Sequence, residues 1–366
     1  MVGIRKNNRK TGKFTMSQST NQPKWTALLA KHETVLLAVI LVEILLFQNL
    51  GRNFLAESNV SNIFRHSVEI GLLALVMTPV ILTGGIDLSL GSMMGLCAVV
   101  FGLLVKQFDV SPWLAAVAAI SLGAFGGMGN AFLITRMNLP PLIVTLGTFS
   151  LFRGLAEALT KGSEAYSGFP QGFLNLGNAN VLGLPAQLWV FFFITLLVWV
   201  LVHRTVWGRS LQAIGFAPQG ARYAGISVGR NTGMAYVLAG AIAGLAAVIL
   251  VARLGEARAN IGIGYELLAI TAVVLGGTSI FGGSGSISGT LLGYVAIAIL
   301  NNGLSRITAH QIFDQPVSSV ARELSGMLTG LLLLLALAAG VLLKSLATRR
   351  ARRQSLITTT NPTPST

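Results

Sequence analysis

A single carboxylate, Asp87, stands within the apolar stretch 80–95, directly after the glycine pair Gly84 and Gly85 and two positions before Ser89. An ionisable side chain at membrane depth is costly, and it marks a polar partner, water or a functional pathway. Paired glycines interrupt a membrane helix and let backbone polar groups face a cavity. Two compatible roles follow for Asp87: it lines a solute path, or it caps the next helix by accepting backbone N–H bonds.

A second glycine-rich break occupies residues 273–293. It resembles a phosphate-binding loop, but it contains no lysine and fits neither GxxxxGK[ST] nor GxGxxG. We therefore expect no ATP hydrolysis and no cofactor in this chain, and we interpret the run as close helix packing with a tight turn. Two broken segments in one membrane chain indicate a transport pathway. We assign to that path Gly84, Gly85, Asp87, Ser89, Gly276, Gly277, Thr278, Gly282 and Gly283.

The elements that position these residues are membrane helices. The chain has 366 residues, of which 53% are hydrophobic and only 10% charged, whereas soluble domains carry roughly 25% charged residues. Its mean hydropathy is +0.71. We predict an all-α polytopic membrane protein of about ten transmembrane helices with glycine-broken or re-entrant segments. The predicted spans are 33–50, 67–83, 89–105, 112–134, 141–160, 186–203, 232–252, 265–281, 286–303 and 320–343.

The net charge of +14 is concentrated in three segments. Basic residues cluster in the tail 1–32, in the central loop 204–231 and in the tail 344–366, which is the pattern of cytoplasmic segments under the positive-inside rule. We therefore predict a membrane domain over 33–343, with both termini in the cytoplasm and a disordered C-terminal tail. Basic residues placed in this way favour a membrane protein over a nucleic-acid-binding one.

Two other kinds of chemistry find little support in the sequence. Cys97 is the only cysteine, so the chain has no internal disulfide, and the four histidines are too far apart in sequence for metal-ligand spacing. Arg153 and Glu157, four positions apart, are predicted to pair on one helix face. No chain of carboxylates suggests a proton relay, and no nucleophile or metal cluster suggests catalysis, so we expect a non-catalytic protein.

The central loop contains the most polar internal sequence. Pro218 suits the first position of a short helix, and a glycine follows at 225. The segment is either an ordinary basic inner loop or a surface helix that docks a soluble partner. Its candidate contact residues are Ala217, Pro218, Gln219, Arg222, Gly225 and Ile226.

Several motifs together resemble one family of transport proteins. They are TGGIDLSLGSMMGL at 83–96, NLPPLIVTLGTFSLFRG at 138–154, GRSLQAIG at 208–215, ARYAGI at 221–226, AITAVVLGGTSIFGGSGSISGTLLG at 269–293 and LNNGL at 300–304. The chain resembles the inner-membrane permease subunits of bacterial ABC importers of the ribose, xylose and autoinducer-2 type, over roughly residues 65–340.

The resemblance implies an importer with several subunits. It implies two cytoplasmic ATP-binding subunits, a periplasmic or lipid-anchored substrate-binding protein, and a second permease copy or a sibling permease. The cargo would be a monosaccharide or a sugar-like molecule of the ribose, rhamnose or autoinducer-2 type. Residues 217–226 match the coupling helix that sits in a groove of the ATPase, but the chain departs at Pro218, where many members have an acidic residue.

In this interpretation the permease works by alternating access. The binding protein docks on the outer loops near 161–185, 253–264 and 304–318, and the coupling helix transmits movement of the ATPase to the spans. The alternative is a stand-alone secondary transporter or channel for a small polar solute. That alternative predicts transport driven by an ion gradient, with no ATPase partner.

Overall fold

A computed structural model describes residues 32–50, 53–162, 164–306 and the isolated positions 327, 330 and 331. Nearly all of both predicted tails, most of the predicted span 320–343 and most of the predicted docking loop 304–318 lie outside the described residues. The described part is mainly helical. Its helices are α1 His32–Leu50, α2 Glu57–Arg65, α3 Val68–Leu82, α4 Leu90–Gln107, α5 Pro112–Thr135, α6 Pro141–Leu159, α7 Gln171–Asn178, α8 Ala186–His203, α9 Val206–Phe216, α10 Pro218–Tyr223, α11 Val228–Leu254, α12 Tyr265–Leu275 and α13 Ile287–Arg306.

Four two-residue strands complete the fold. Strand β1, Tyr166–Ser167, pairs antiparallel with β4, Glu256–Ala257, and strand β2, Asn180–Val181, pairs antiparallel with β3, Leu184–Pro185. The β1–β4 pair joins the loop after α6 to the loop after α11. These short strands therefore tie together connections that lie far apart in sequence.

Within the described residues, seven helices are long and apolar enough to cross a membrane: α1, α4, α5, α6, α8, α11 and α13. Helices α2 and α3 form an eighth candidate span, bent by 47° at their junction. The predicted span 265–281 is not one continuous helix. Helix α12 has only 11 residues, or about 16 Å, roughly half of the hydrocarbon core. It ends at Leu275 because Gly277 then takes a φ of +87°, which a helix cannot accommodate.

The centre of the molecule is the antiparallel pair α5 and α11. Gly123 and Gly127 of α5 face Gly240 and Gly244 of α11, and a Cβ atom at any of the four would lie within 3.0 Å of the facing backbone. Small residues spaced by four are the usual means by which membrane helices approach closely. This pair forms a buried backbone-to-backbone seam against which α3 and α4 pack.

The connections gather at two opposite ends of the helices. One end, which we call the coupling face, carries residues 204–227, the break 83–89 between α3 and α4, and the break 276–286 between α12 and α13. The other end, the distal face, carries α2, α7 and the four strands. At the distal face the Arg65 guanidinium donates to the carbonyl oxygens of Gly177 and Asn178 and to Asn180 Oδ1, at 3.2, 2.8 and 2.6 Å.

Candidate functional site

Asp87 lies just before α4. Its Oδ1 accepts hydrogen bonds from Ser89 N at 2.9 Å and from Ser89 Oγ at 2.6 Å. Ser89 Oγ in turn accepts a bond from Asn130 Nδ2 of α5 at 2.9 Å. All three side chains are at most 1% exposed. The carboxylate therefore holds Ser89, the residue before α4, and links it to α5 through the serine hydroxyl; it bonds no N–H within the helix itself.

The same cluster carries polar atoms that find no partner among the described residues. Asp87 Oδ2, Asn130 Oδ1 and the Tyr236 hydroxyl are buried without a hydrogen bond. A Cβ atom at Gly85 would collide with that Tyr236 hydroxyl, so the missing side chain at Gly85 is what makes room for the phenol. Buried polar atoms normally pair with protein or water. The cluster therefore offers acceptors and a donor to a small hydroxylated ligand or to water.

The second glycine-rich break is a packing element followed by a tight turn. Gly276 and Gly289 face each other so closely that a Cβ atom at either would lie within 3.0 Å of the other's carbonyl oxygen. Ser279 N donates to Ser284 O, and Gly282 N donates back to Ser279 O, both at 2.9 Å. Thr278 is buried beneath this turn. The arrangement fits the packing interpretation of the sequence, and the turn's own hydrogen bonds use backbone N–H groups that a phosphate cradle would need.

The two glycine-rich breaks meet each other at the coupling face. Gly283 N donates to Leu82 O at 3.0 Å, and a Cβ atom at Gly282 would lie within 3.0 Å of Gly84 N. A fourth glycine, Gly215 of α9, packs against the end of α3 and against the break between α12 and α13. We call these four glycines the glycine junction. The sequence had placed three of them on a solute path, and it gave no indication of Gly215, because its neighbours are about 70 and 130 positions away in the chain.

The segment between α8 and α11 presents a short helix to solvent. Helix α10 begins with Pro218 at its first position and ends before Gly225, whose φ is +79°, so the short helix expected from the sequence is present. Ala221 faces inward, whereas Gln219, Arg222 and Tyr223 are exposed, as is Phe216 at the end of α9. Exposed fractions of 86% for Phe216 and 92% for Tyr223 are large for aromatic side chains, and such residues mark contact surfaces.

A non-helical segment enters the molecule from the distal face. Residues 257–262 run along a strip of glycines on α4: Ala257 packs on Gly102, the carbonyl oxygens of Ala259 and Ile261 lie at Gly95, and that of Gly262 lies at Gly91. The 11 positions from Gly102 to Gly91 span about 16 Å along a helix. Irregular backbone at membrane depth persists only where protein buries it or where it lines a cavity. Residues 258–264 therefore form the non-helical first half of a broken span, which α12 continues to the coupling face.

Arg153 of α6 donates hydrogen bonds to backbone carbonyl groups of this non-helical segment. Its Nη1 donates to the carbonyl oxygens of Ala259 and Ile261, the latter at 3.1 Å, and Nη2 donates to Gly91 O at 3.5 Å. The predicted Arg153–Glu157 pair is wrong as an ion pair, because no such contact lies within 4.0 Å in the described residues. The guanidinium instead donates its hydrogen bonds to the carbonyl oxygens of Ala259 and Ile261.

A cavity of about 390 Å³ opens above this segment at the distal face. Its volume is in the range of roughly 300–1,000 Å³ that is usual for small-ligand sites. Lys161, beside the cavity, forms an ion pair with Glu164 at 3.0 Å, and this carboxylate raises the pKa of the Lys161 ammonium. The lining residues are Glu157, Thr160, Gly162, Glu164, Ala165, Arg258, Ala259 and Asn260.

The described part thus combines the half-length helix α12, the non-helical segment before it, a buried polar cluster and the short exposed helix α10. A family model described as branched-chain amino acid transport system / permease component matches residues 59–337, which is well over half of the chain. The chain belongs to this family of transport permeases. It is a multi-pass inner-membrane protein and a non-catalytic subunit of a transport system.

Individual relatives agree with the family assignment. The chain is 41% identical over 288 residues to the autoinducer 2 import system permease protein LsrD of Yersinia pseudotuberculosis strain IP 31758, covering 76% of this chain and 86% of that protein. The proteins of the same name from Enterobacter sp. strain 638 and Photorhabdus luminescens are 40% and 37% identical, covering 75% and 83% of this chain and 85% and 89% of theirs. No solved structure is significantly similar to the chain.

Proposed function

We propose that the chain is the membrane-spanning subunit of an ATP-driven importer that moves autoinducer-2 or a closely related sugar-like molecule into the cytoplasm. The observation that supports this proposal most directly is the 41% identity to an autoinducer 2 import permease across 86% of that protein. We further propose ten spans with both termini in the cytoplasm, so that the coupling face is cytoplasmic and the distal face periplasmic. The basic residues within 204–227, which we call the coupling segment, support this orientation.

The polar groups inside the described part favour a sugar-like cargo over an amino acid. A zwitterionic amino acid needs a buried cation as well as a buried anion. The cluster around Asp87 offers a carboxylate, hydroxyls and an amide, and Arg153 is already bonded to backbone carbonyls. Hydroxyl groups of a neutral solute can donate to the carboxylate and accept from the tyrosine or amide. This chemistry supports the substrate class named by the relatives rather than the one in the family description.

The partners follow from the two faces. We propose that a cytoplasmic ATPase subunit docks on α10, where Phe216 and Tyr223 are exposed, and that this partner holds the ATP while this chain needs no cofactor. A substrate-binding protein would dock on the distal face around the 390 Å³ cavity, which lies on two of the loops predicted for docking. A sibling permease would complete the path, and the departure at Pro218 from the usual acidic residue supports a heterodimer.

The test is uptake by cells that contain the complete candidate importer and lack other routes for the solute. Autoinducer-2, ribose and leucine are offered separately, with and without an ATPase partner inactivated in its nucleotide site. We expect ATPase-dependent uptake of the first solute and none of leucine. Purification of the tagged chain in mild detergent, followed by mass spectrometry, should recover the ATPase subunit and a sibling permease.

The alternative function is distinguished by the same experiment. Uptake that survives inactivation of the ATPase and disappears when the ion gradient is collapsed would replace the proposal with a stand-alone transporter. Leucine uptake in place of sugar-like uptake would keep the importer and change its cargo.

A further inference from the structure

The coupling segment touches the membrane helices through main-chain atoms. Helix α9 ends at Phe216, and only Ala217 separates it from α10. In the last turn of α9, a Cβ atom at Gly215 would lie within 3.0 Å of Leu82 O and of Gly283 N. These two atoms belong to the end of α3 and to the break between α12 and α13. No side chain therefore separates α9 from either element.

The two contacted elements are also joined to each other. Leu82 O accepts the hydrogen bond from Gly283 N at 3.0 Å, and a Cβ atom at Gly283 would lie 3.0 Å from Phe216 N. Three chain segments thus share one backbone contact. A contact without flexible side chains has little freedom to absorb movement, and close-packed interiors transmit strain. Displacement of α9 would therefore displace the end of α3 and the α12–α13 break with it.

A separate hydrogen bond ties the start of the coupling segment to the same break. His203, the last residue of α8, accepts through Nε2 from Ile287 N at 3.1 Å. Ile287 is the first residue of α13, so its N–H has no partner within the helix. Helix α9 is consequently flanked by two attachments: Gly215 at its end contacts the α12–α13 break, and His203, before its start, binds the first residue of α13.

We propose that Gly215 is a positioning residue for coupled transport. Because it has no side chain, α9 packs directly on the end of α3 and on the α12–α13 break. A partner that acts on α10 then moves these elements as one unit. This inference rests on the proposed function, since it needs an ATPase that acts on α10. It concerns the transmission of movement and not the docking itself. The exposed residues of α10 do not form the glycine junction, so the two properties are separable by mutation.

The experiment uses the complete importer in liposomes, with its ATPase, sibling permease and loaded binding protein. Gly215→Ala is compared with the unmodified chain and with Gly129→Ala on α5, where a Cβ atom would meet nothing within 4 Å. The readouts are ATPase subunit recovered with the tagged chain, ATP hydrolysis, and solute transported per ATP. Because a methyl group forced into a close-packed contact strains its neighbours, we expect Gly215→Ala to keep the ATPase subunit but to transport about tenfold less solute per ATP. Gly129→Ala should match the unmodified importer in all three.

A second variant protects the test against misfolding. His203→Ala removes the hydrogen bond to Ile287 without adding volume, and we expect it to lower solute per ATP while the ATPase subunit still co-purifies. Normal solute per ATP in a folded Gly215→Ala importer would overturn the proposal. Loss of the ATPase subunit from both variants would also overturn it, because the contacts would then only shape the docking surface. Failure of the proposed function is separate: the unmodified importer itself would then show no ATP-dependent transport.

Discussion

The ion pair between Arg253 and Glu69 offers a sharp test of the distal face. Arg253 Nε lies 3.0 Å from Glu69 Oε1, and the two side chains are only 9% and 0% exposed. Arg253 also contacts His66 Nδ1 through Nη1 at 2.9 Å, and Glu69 Oε2 has no other partner among the described residues. Removing the guanidinium would leave a fully buried, unpaired carboxylate in the first turn of α3.

The expected cost can be set from the burial of the pair. Breaking a buried ion pair by removing one partner typically costs about 3–5 kcal/mol, because the remaining charge is desolvated and uncompensated. We therefore expect Arg253→Met to lower the free energy of unfolding by about 3–5 kcal/mol. Replacing both partners by apolar residues is often close to neutral. The double variant with Glu69→Met as well should then recover at least about 2 kcal/mol of that loss.

The measurement is the free energy of unfolding of the purified chain in mixed micelles, followed by tryptophan fluorescence as SDS is added. Arg258→Met is the matched control, since its partner is Glu256 and the two side chains are 51% and 31% exposed. Exposed pairs contribute only about 0–1 kcal/mol. The reasoning would be refuted if Arg253→Met cost no more than Arg258→Met, or if the double variant were as unstable as the single one.

Three further predictions concern packing, loop anchoring and the polar cluster. Gly127→Ala should destabilise the chain by about 1–3 kcal/mol in the same unfolding assay. Gly129→Ala on the same helix faces open space and should be neutral. Equal effects of the two substitutions would contradict the α5–α11 seam. Arg65→Lys should speed limited proteolysis within 178–185, because lysine cannot make all three bonds of the guanidinium fork, and an unchanged cleavage rate would count against that anchor. Tyr236→Phe should leave stability within about 0.5 kcal/mol, since its hydroxyl has no protein partner, yet slow solute uptake in the reconstituted importer; full uptake would remove the hydroxyl from the path.

Long apolar helices could be predicted closely from the sequence. The predicted spans 33–50, 112–134 and 186–203 differ from α1, α5 and α8 by at most one residue at either end. Prolines mark the starts of α5 and α6, where their fixed φ suits the first helical turn. Such elements satisfy their own backbone within a lipid environment, so the local sequence carries most of the information that defines them.

Short and irregular elements could not be predicted in this way. The non-helical path of 258–264 into the molecule could not be predicted, because its backbone is stabilised by Arg153, about 106 positions earlier, and by glycines of α4. Arg153 itself was expected to pair with Glu157, which periodicity places on the same helix face. Periodicity describes neighbours on one helix, and it contains no information about a distant segment that approaches the same side chain and offers carbonyl oxygens.

The glycines show why a motif alone left the solute path undefined. Gly276 is buried against Gly289, whereas its neighbour Gly277 is exposed and takes a φ of +87°. Of these two adjacent glycines, Gly276 thus allows close helix packing and Gly277 allows the chain to turn. At the coupling face, Gly282 and Gly283 contact α9, and Gly84 contacts Gly282. Glycine there is therefore required by backbone contacts whether or not a solute passes. The path is better sought where polar side chains are buried, around Asp87 and Tyr236. The non-helical segment 258–264, which runs from the distal face along α4 toward them, is the second place to look.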